Sequence, residues 1–161
     1  MKSLLKDKTF SINIQGCRTN QYEGEAIAAS LESTGAVHSD VSPDIIVVVS
    51  CTITAVADRK CRKLIRKLRR ENPHSLIVAC GCYAQRMSGP ERESLGVDII
   101  VGNRVKHRIA ELAADWFEKD EKCSSRSILQ DEIMKAPSWD ALYLDRPRLH
   151  TRAFLKVQDG C

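Results

Sequence analysis

The sequence predicts an α/β fold: an open, mostly parallel sheet of about five strands with helices on both faces. Three observations carry this. Short β-branched runs alternate with helical stretches four or five times over short connections. The run "IIVVVS" at 45–50 is apolar throughout, as a strand buried on both faces must be. The stretch that follows carries a clean helical stripe, with Ala57, Cys61, Leu64, Ile65 and Leu68 on one face.

Taken in order, residues 9–14 form the first strand. After the break "QGCRTN", residues 22–34 read as a helix with Ala26, Ile27, Ser30 and Leu31 on one side, stopped by Gly35. A short strand is expected near Val37, then the strand at 45–50. The next helix spans about 55–71, with Thr52 or Thr54 as its cap. "HSLIVAC" is a strand ending at Gly81-Cys82, and a short helix follows around 91–95. "VDIIVG" is the last strand, and "NRVKHRIAELAADWFEKD" is the closing helix, with Val105, Ile109, Leu112, Ala113 and Trp116 inward. Residues 1–119 make up this domain. Residues 120–150 lose periodicity, carry Pro137 and Pro147, and read as a linker that Trp139 anchors. Residues 151–161, "TRAFLKVQDGC", look like the start of an incomplete following domain.

Composition narrows the function. Apolar residues make up 43% and aromatics 5% of the 161 residues, so the core is aliphatic. A net charge of +4 permits a nucleic-acid partner without demanding one. The opening "MKSLLKDKTF" has charges where a secretory segment needs apolar residues, and no run approaches a bilayer span. The expectation is a cytoplasmic protein with no membrane partner. In a reducing compartment an odd count of seven cysteines points to ligation, catalysis or burial rather than a disulfide framework.

Three of those cysteines follow strands: Cys17, Cys51 and Cys82. The carboxyl ends of parallel strands share one edge, and ligands bind there. Each cysteine precedes a helix whose N-terminal dipole favours a thiolate. Gly16 and Gly81 immediately precede two of them and let the backbone turn tightly or approach a bulky ligand. Three convergent thiolates suit a soft metal centre. Two chemistries remain open: a four-iron cluster with one iron left accessible, or zinc with a water. Burial is the competing account for each cysteine alone, and no local C-x-x-C settles the choice.

"QGCRTNQYEGEAI", "SCTITAVADRK", "CGCYAQ" and "GVDIIVGN" resemble the N-terminal domain of the radical-SAM tRNA methylthiotransferases, closest to the branch acting on threonylcarbamoyladenosine beside the anticodon. The resemblance runs from residue 9 to about 112 and resumes at "RAFLKVQDGC". It implies that Cys17, Cys51 and Cys82 hold an auxiliary [4Fe–4S] cluster, as ligands rather than acid–base groups, so no catalytic residue is assigned. It implies that Cys161 is the first cysteine of a C-x-x-x-C-x-x-C motif for a second [4Fe–4S] cluster and S-adenosyl-L-methionine. The full-length enzyme would then add a methylthio group to C2 of N6-threonylcarbamoyladenosine in tRNA. The 161-residue chain alone is expected to be inactive. Two positions depart from the pattern. Val49-Ser50 stands where the family has Asn-Thr, and Cys80 stands at a non-ligand position.

The alternative function is a zinc-binding or metal-free α/β interaction module. A thiol redox protein using Cys80 and Cys82 is a third. Cys61, on the apolar stripe, is expected to be core filler, and Cys123 an incidental linker thiol. Asn20 is expected to cap the following helix or to lie near the cluster, capping being the simpler account. His38, His74, His107 and His150 show no ligand spacing and are taken as surface or loop residues. Arg59, Lys60, Arg62, Lys63, Arg66, Lys67, Arg69 and Arg70 form a basic run that is either a solvated face or a phosphate-contacting surface for tRNA. With no interleaved aromatic, base stacking there is not indicated.

Overall fold

A computed structural model describes residues 4–52, 54–118, 128–129 and 142–144. The elements run β1 (Thr9–Gln15), α1 (Arg18–Ser33), β2 (Val37–His38), β3 (Ile45–Ser50), α2 (Ala55–Glu71), β4 (Leu76–Gly81), α3 (Cys82–Arg86), α4 (Gly89–Leu95), β5 (Ile99–Val101), a 3-10 turn (Lys106–Arg108), α5 (Ile109–Glu118) and β6 (Ile128–Leu129). The sheet order is β2-β1-β3-β4-β5-β6, and every pairing is parallel. The expected α/β class holds, with a sixth strand that pairs with β5 inside the segment read as a linker. Cys123, Trp139, His150, Cys161 and all of residues 151–161 lie outside the described residues.

Alternation of side chains along the central strands builds two aliphatic cores. Ile45, Val47, Val49, Val78 and Cys80 pack with Ile27 and Leu31 of α1 and Ile109 and Ala113 of α5. Ile46, Val48, Ile77 and Ala79 pack with Cys61 and Ile65 of α2 and with Tyr83, Met87 and Leu95. Each fully buried Ile side chain contributes on the order of 2–3 kcal/mol. Trp116 is half-buried against the first core, as the helical stripe predicts.

Local chemistry sets the helix ends. Thr54, rather than Thr52, caps α2: its hydroxyl accepts from the Ala57 amide at 3.1 Å. Gly35, at φ 97°, follows α1 as the sequence requires. Helix α1 starts four residues earlier than residue 22, the expected first residue, and its cap position is Cys17. Asn20 therefore sits inside the first turn and is not the cap. The closing helix starts later than expected, because residues 106–108 tighten into the 3-10 turn before α5.

Candidate functional site

The strand order reverses between β1 and β3, with β2 on one side and β4 on the other. In a doubly wound sheet this switch point opens a crevice at the carboxyl edge. Register levels the strand ends there: Gln15 pairs with Ser50, and Ser50 with Gly81. Cys51 and Cys82 directly follow β3 and β4, and Cys17 follows β1 after Gly16.

Both glycines are required by close approach. A Cβ on Gly16, at φ +152°, would lie 2.8 Å from the Cys51 Cβ and 3.0 Å from the Asn20 Cγ. A Cβ on Gly81, at φ +93°, would lie 2.3 Å from the Ser50 carbonyl oxygen. The backbone beside Cys17 is thus laid against the Cys51 side chain, and the turn into Cys82 against β3.

The three thiols have different surroundings. Cys17 is exposed, and its Sγ–H donates to the Asn20 Oδ1 at 3.0 Å. Cys51 is buried. Cys82 is half-buried and opens α3; the Asn103 Nδ2 donates toward its Sγ at 3.9 Å. Burial pushes the Cys82 thiol upward; Asn103 draws it down, neighbouring Cys51 pushes it up, Lys106 lowers it and Glu23 raises it. Cys51, Lys106 and Glu23 therefore all lie within electrostatic reach of Cys82. Lys106 and Glu23 form a buried ion pair at 2.7 Å, joining α1 to the 3-10 turn. Among the described residues, no three Cys, His, Asp or Glu side chains already close around one point as a metal-ligand set.

The rim also concentrates unsatisfied polar atoms. The buried side-chain atoms without a partner among the described residues are Gln15 Oε1, Asn20 Nδ2, Asn103 Oδ1 and two nitrogens of Arg92. Three of these five lie at the carboxyl ends of β1 and β5 or in the first turn of α1, flanking the cysteines. Native proteins pair nearly all such atoms, with protein, water or ligand, so these three are positions open to a further partner. Thiol donors, glycine-cleared backbone and unpaired amides at one edge fit a thiolate-bound metal group in chemical type.

The remaining thiols stand apart. Cys61 is 1% exposed, and burial pushes it up to about 11 despite a hydrogen bond with Ser50, so it is an inert core residue. Cys80 is wholly buried in the first core. Cys80 and Cys82 are not joined in a disulfide. His38, His74 and His107 are exposed.

The basic run divides. Arg69 binds the carbonyls of Gly96, Pro73 and Ser75 and the Asp98 carboxylate. Arg62 meets Glu91 at 3.5 Å, and Lys67 meets Glu71 at 3.9 Å. Arg59, Lys60, Lys63, Arg66 and Arg70 are exposed. No described helix is long and apolar enough to cross a membrane.

Sequence reasoning missed Asn103, Glu23 and Lys106. Asn103 carried a usable signal, because it follows Gly102 at the end of the last expected strand. The Glu23–Lys106 pair carried none, since 83 positions separate its members.

Comparison with known proteins matches residues 9–102 to the model of a family described as uncharacterized protein family UPF0004. The chain is 33% identical over 95% of its length to the threonylcarbamoyladenosine tRNA methylthiotransferase MtaB of Bacillus subtilis, covering 34% of that protein. It is 32% identical over 96% of its length to the like-named protein of Thermotoga maritima, again covering 34%. It is 34% identical over 96% of its length to the tRNA-2-methylthio-N(6)-dimethylallyladenosine synthase of Zymomonas mobilis, covering 34%. The chain thus spans about a third of the length of the curated relatives it matches.

Proposed function

On the premise that this chain belongs to the UPF0004 family, the N-terminal domain of tRNA methylthiotransferases, we propose that it is the sulfur-carrying part of such an enzyme. Cys17, Cys51 and Cys82 hold its auxiliary [4Fe–4S] cluster. The whole enzyme adds a methylthio group to C2 of N6-threonylcarbamoyladenosine beside the anticodon, in the cytoplasm. S-adenosyl-L-methionine and the second cluster, for which Cys161 is the first ligand, belong to the following domain.

The observation that carries the reading is the level ending of β1, β3 and β4 at the switch point, each followed by a cysteine. Bound there by three protein thiolates, a [4Fe–4S] cluster supplies one iron open to an external sulfur. The chain's own residues do the rest. Cys51 and Cys82 follow adjacent strands, and Cys17 is exposed at the start of α1. Gly16 and Gly81 let the backbone beside Cys17 and Cys82 lie against Cys51 and Ser50. Cys51 is sunk in the rim, which limits access of water and oxygen to its sulfur. On α2, Arg59, Lys60, Lys63, Arg66 and Arg70 offer a phosphate-contacting face for tRNA. The threonylcarbamoyl branch is supported by the names of the Bacillus and Thermotoga relatives.

Anaerobic incubation of the chain with ferrous iron and sulfide is the test. The expected product is brown, absorbs broadly at about 400 nm, and contains iron and sulfide in equal amounts. Cys17→Ala, Cys51→Ala and Cys82→Ala each abolish it, while Cys61→Ala does not. The shared three-thiolate donor set makes zinc the second reading. Stoichiometric zinc that iron does not displace would establish that reading instead.

A further inference from the structure

The two asparagines at the rim are not explained by folding. Asn20 is 4% exposed, lies three residues beyond Cys17 in the first turn of α1, and uses its Oδ1 to accept the Cys17 thiol proton. Its Nδ2 has no partner among the described residues. Asn103 stands on the opposite flank. Its backbone N–H is held by the Gln85 Oε1 at 2.9 Å, which ties it to α3, the helix that Cys82 opens. Its Nδ2 faces the Cys82 Sγ, and its Oδ1 has no partner among the described residues. Each carboxamide thus touches one rim sulfur and leaves its other atom buried and unused. The bare fold gains nothing from two half-satisfied amides at the same edge.

Ligation changes what each sulfur presents to its amide, while one atom of each carboxamide stays unpaired. A thiol that binds iron loses its proton, and the Asn20 Oδ1 loses its donor and faces a negative sulfur. A half-turn of the terminal torsion exchanges the near-isosteric oxygen and nitrogen and presents Nδ2 to the sulfur. Asn103 already presents its nitrogen. An N–H group pointed at a charged sulfur forms a charge-assisted hydrogen bond.

We propose that the side-chain amides of Asn20 and Asn103 are the N–H donors to the sulfurs of Cys17 and Cys82, positioning residues that ease reduction of the bound cluster. This rests on the cluster reading above. The sign follows from charge. Reduction by one electron makes the cluster and its thiolates more negative, and N–H donors stabilise that state more than the oxidised one. Their loss moves the midpoint potential to more negative values.

The experiment compares the wild-type chain with Asn20→Ala, Asn103→Ala, their double variant and Asn20→Asp. All are reconstituted anaerobically with iron and sulfide and titrated with a low-potential reductant. Iron content, the midpoint read by electron paramagnetic resonance, and the resonance Raman iron–thiolate bands are recorded, the last also in deuterium oxide. Both alanine variants are expected to load the wild-type amount of iron with a more negative midpoint, and the two shifts to add in the double variant. Asn20→Asp keeps the acceptor, removes the donor and places a carboxylate beside a thiolate, so it is expected to load less iron. In wild type, the iron–thiolate bands shift on deuteration, and each alanine variant loses part of that shift.

Wild-type iron loading with unchanged midpoints in both alanine variants, or no deuterium sensitivity in wild type, overturns the assignment while leaving the cluster reading intact. A wild-type chain that binds no cluster overturns both. If Asn20→Ala fails to fold by circular dichroism, Asn103→Ala and the wild-type deuterium measurement decide.

Discussion

Gly81 and Gly89 differ by what surrounds them, and the difference is testable. A Cβ at Gly81 collides with the Ser50 carbonyl oxygen and requires a backbone φ of +93°, which L-residues avoid. Gly81→Ala is expected to cost about 2–4 kcal/mol by urea denaturation. Gly89, at the start of α4, has nothing within 4 Å, and Gly89→Ala is expected to be neutral or stabilising by about 0.5–1 kcal/mol. Cys61 gives a pH-dependent case. Its thiol is raised from 9.0 to about 11, chiefly by burial, so the folded state holds that proton more tightly than the unfolded chain. Its contribution to stability is full below pH 9.0 and declines as pH rises toward about 11. Cys61→Ala is expected to flatten that part of the alkaline decline in denaturation midpoint. At this scale the sequence was informative where chemistry and position coincide. Cys17, Cys51 and Cys82 could be placed because each follows a recognisable strand, and Cys61 because it falls on a helical stripe. Asn20 was misplaced because a helix start is decided by backbone turns near Gly16, not by the side chain that most often caps.

Helix α2 shows why a composition pattern underdetermines a surface. Eight basic residues in residues 59–70 read as one charged face, yet the fold divides them. Arg69 reaches back to carbonyls at Ser75 and Gly96 and to Asp98, fastening α2 to the segments that enter β4 and β5. Those partners lie up to 29 residues away, so no window along the sequence reveals them. Two outcomes follow from the division. Arg69→Ala leaves Asp98 and three carbonyls short of a donor and is expected to cost about 2–3 kcal/mol in stability. The exposed set behaves differently: Lys63→Glu with Arg66→Glu is expected to leave the denaturation midpoint nearly unchanged. Under the proposed function, the same changes in a longer protein containing this domain are expected to weaken tRNA binding at low salt and to reduce its slope against salt concentration. Equal tRNA affinity in filter binding at low and moderate salt would remove α2 from the interface.

For the whole molecule, the sheet order was legible in outline, since alternating strands and helices with a fully apolar central strand imply a parallel, doubly wound sheet. The clamp that fixes its carboxyl edge was not. Glu23 on α1 and Lys106 before α5 are both almost fully buried and meet at 2.7 Å, joining segments from opposite ends of the described domain. Through them the turn carrying Cys17 and Asn20 is tied to the loop carrying Asn103. Two buried charges repay their desolvation only while paired, so removing one takes from the other its 2.7 Å partner. Lys106→Met is expected to cost about 3–5 kcal/mol in stability, and Glu23→Gln a similar amount. The double variant Glu23→Gln, Lys106→Met leaves no unpaired charge and is expected to recover most of that loss, a coupling that a thermodynamic cycle measures directly. Stability recovered without iron loading would show that the charges themselves also serve the rim. Recovery of both would assign the pair to the architecture alone. Single variants that each cost under about 1 kcal/mol would show that the edge is held by the aliphatic core and not by this pair.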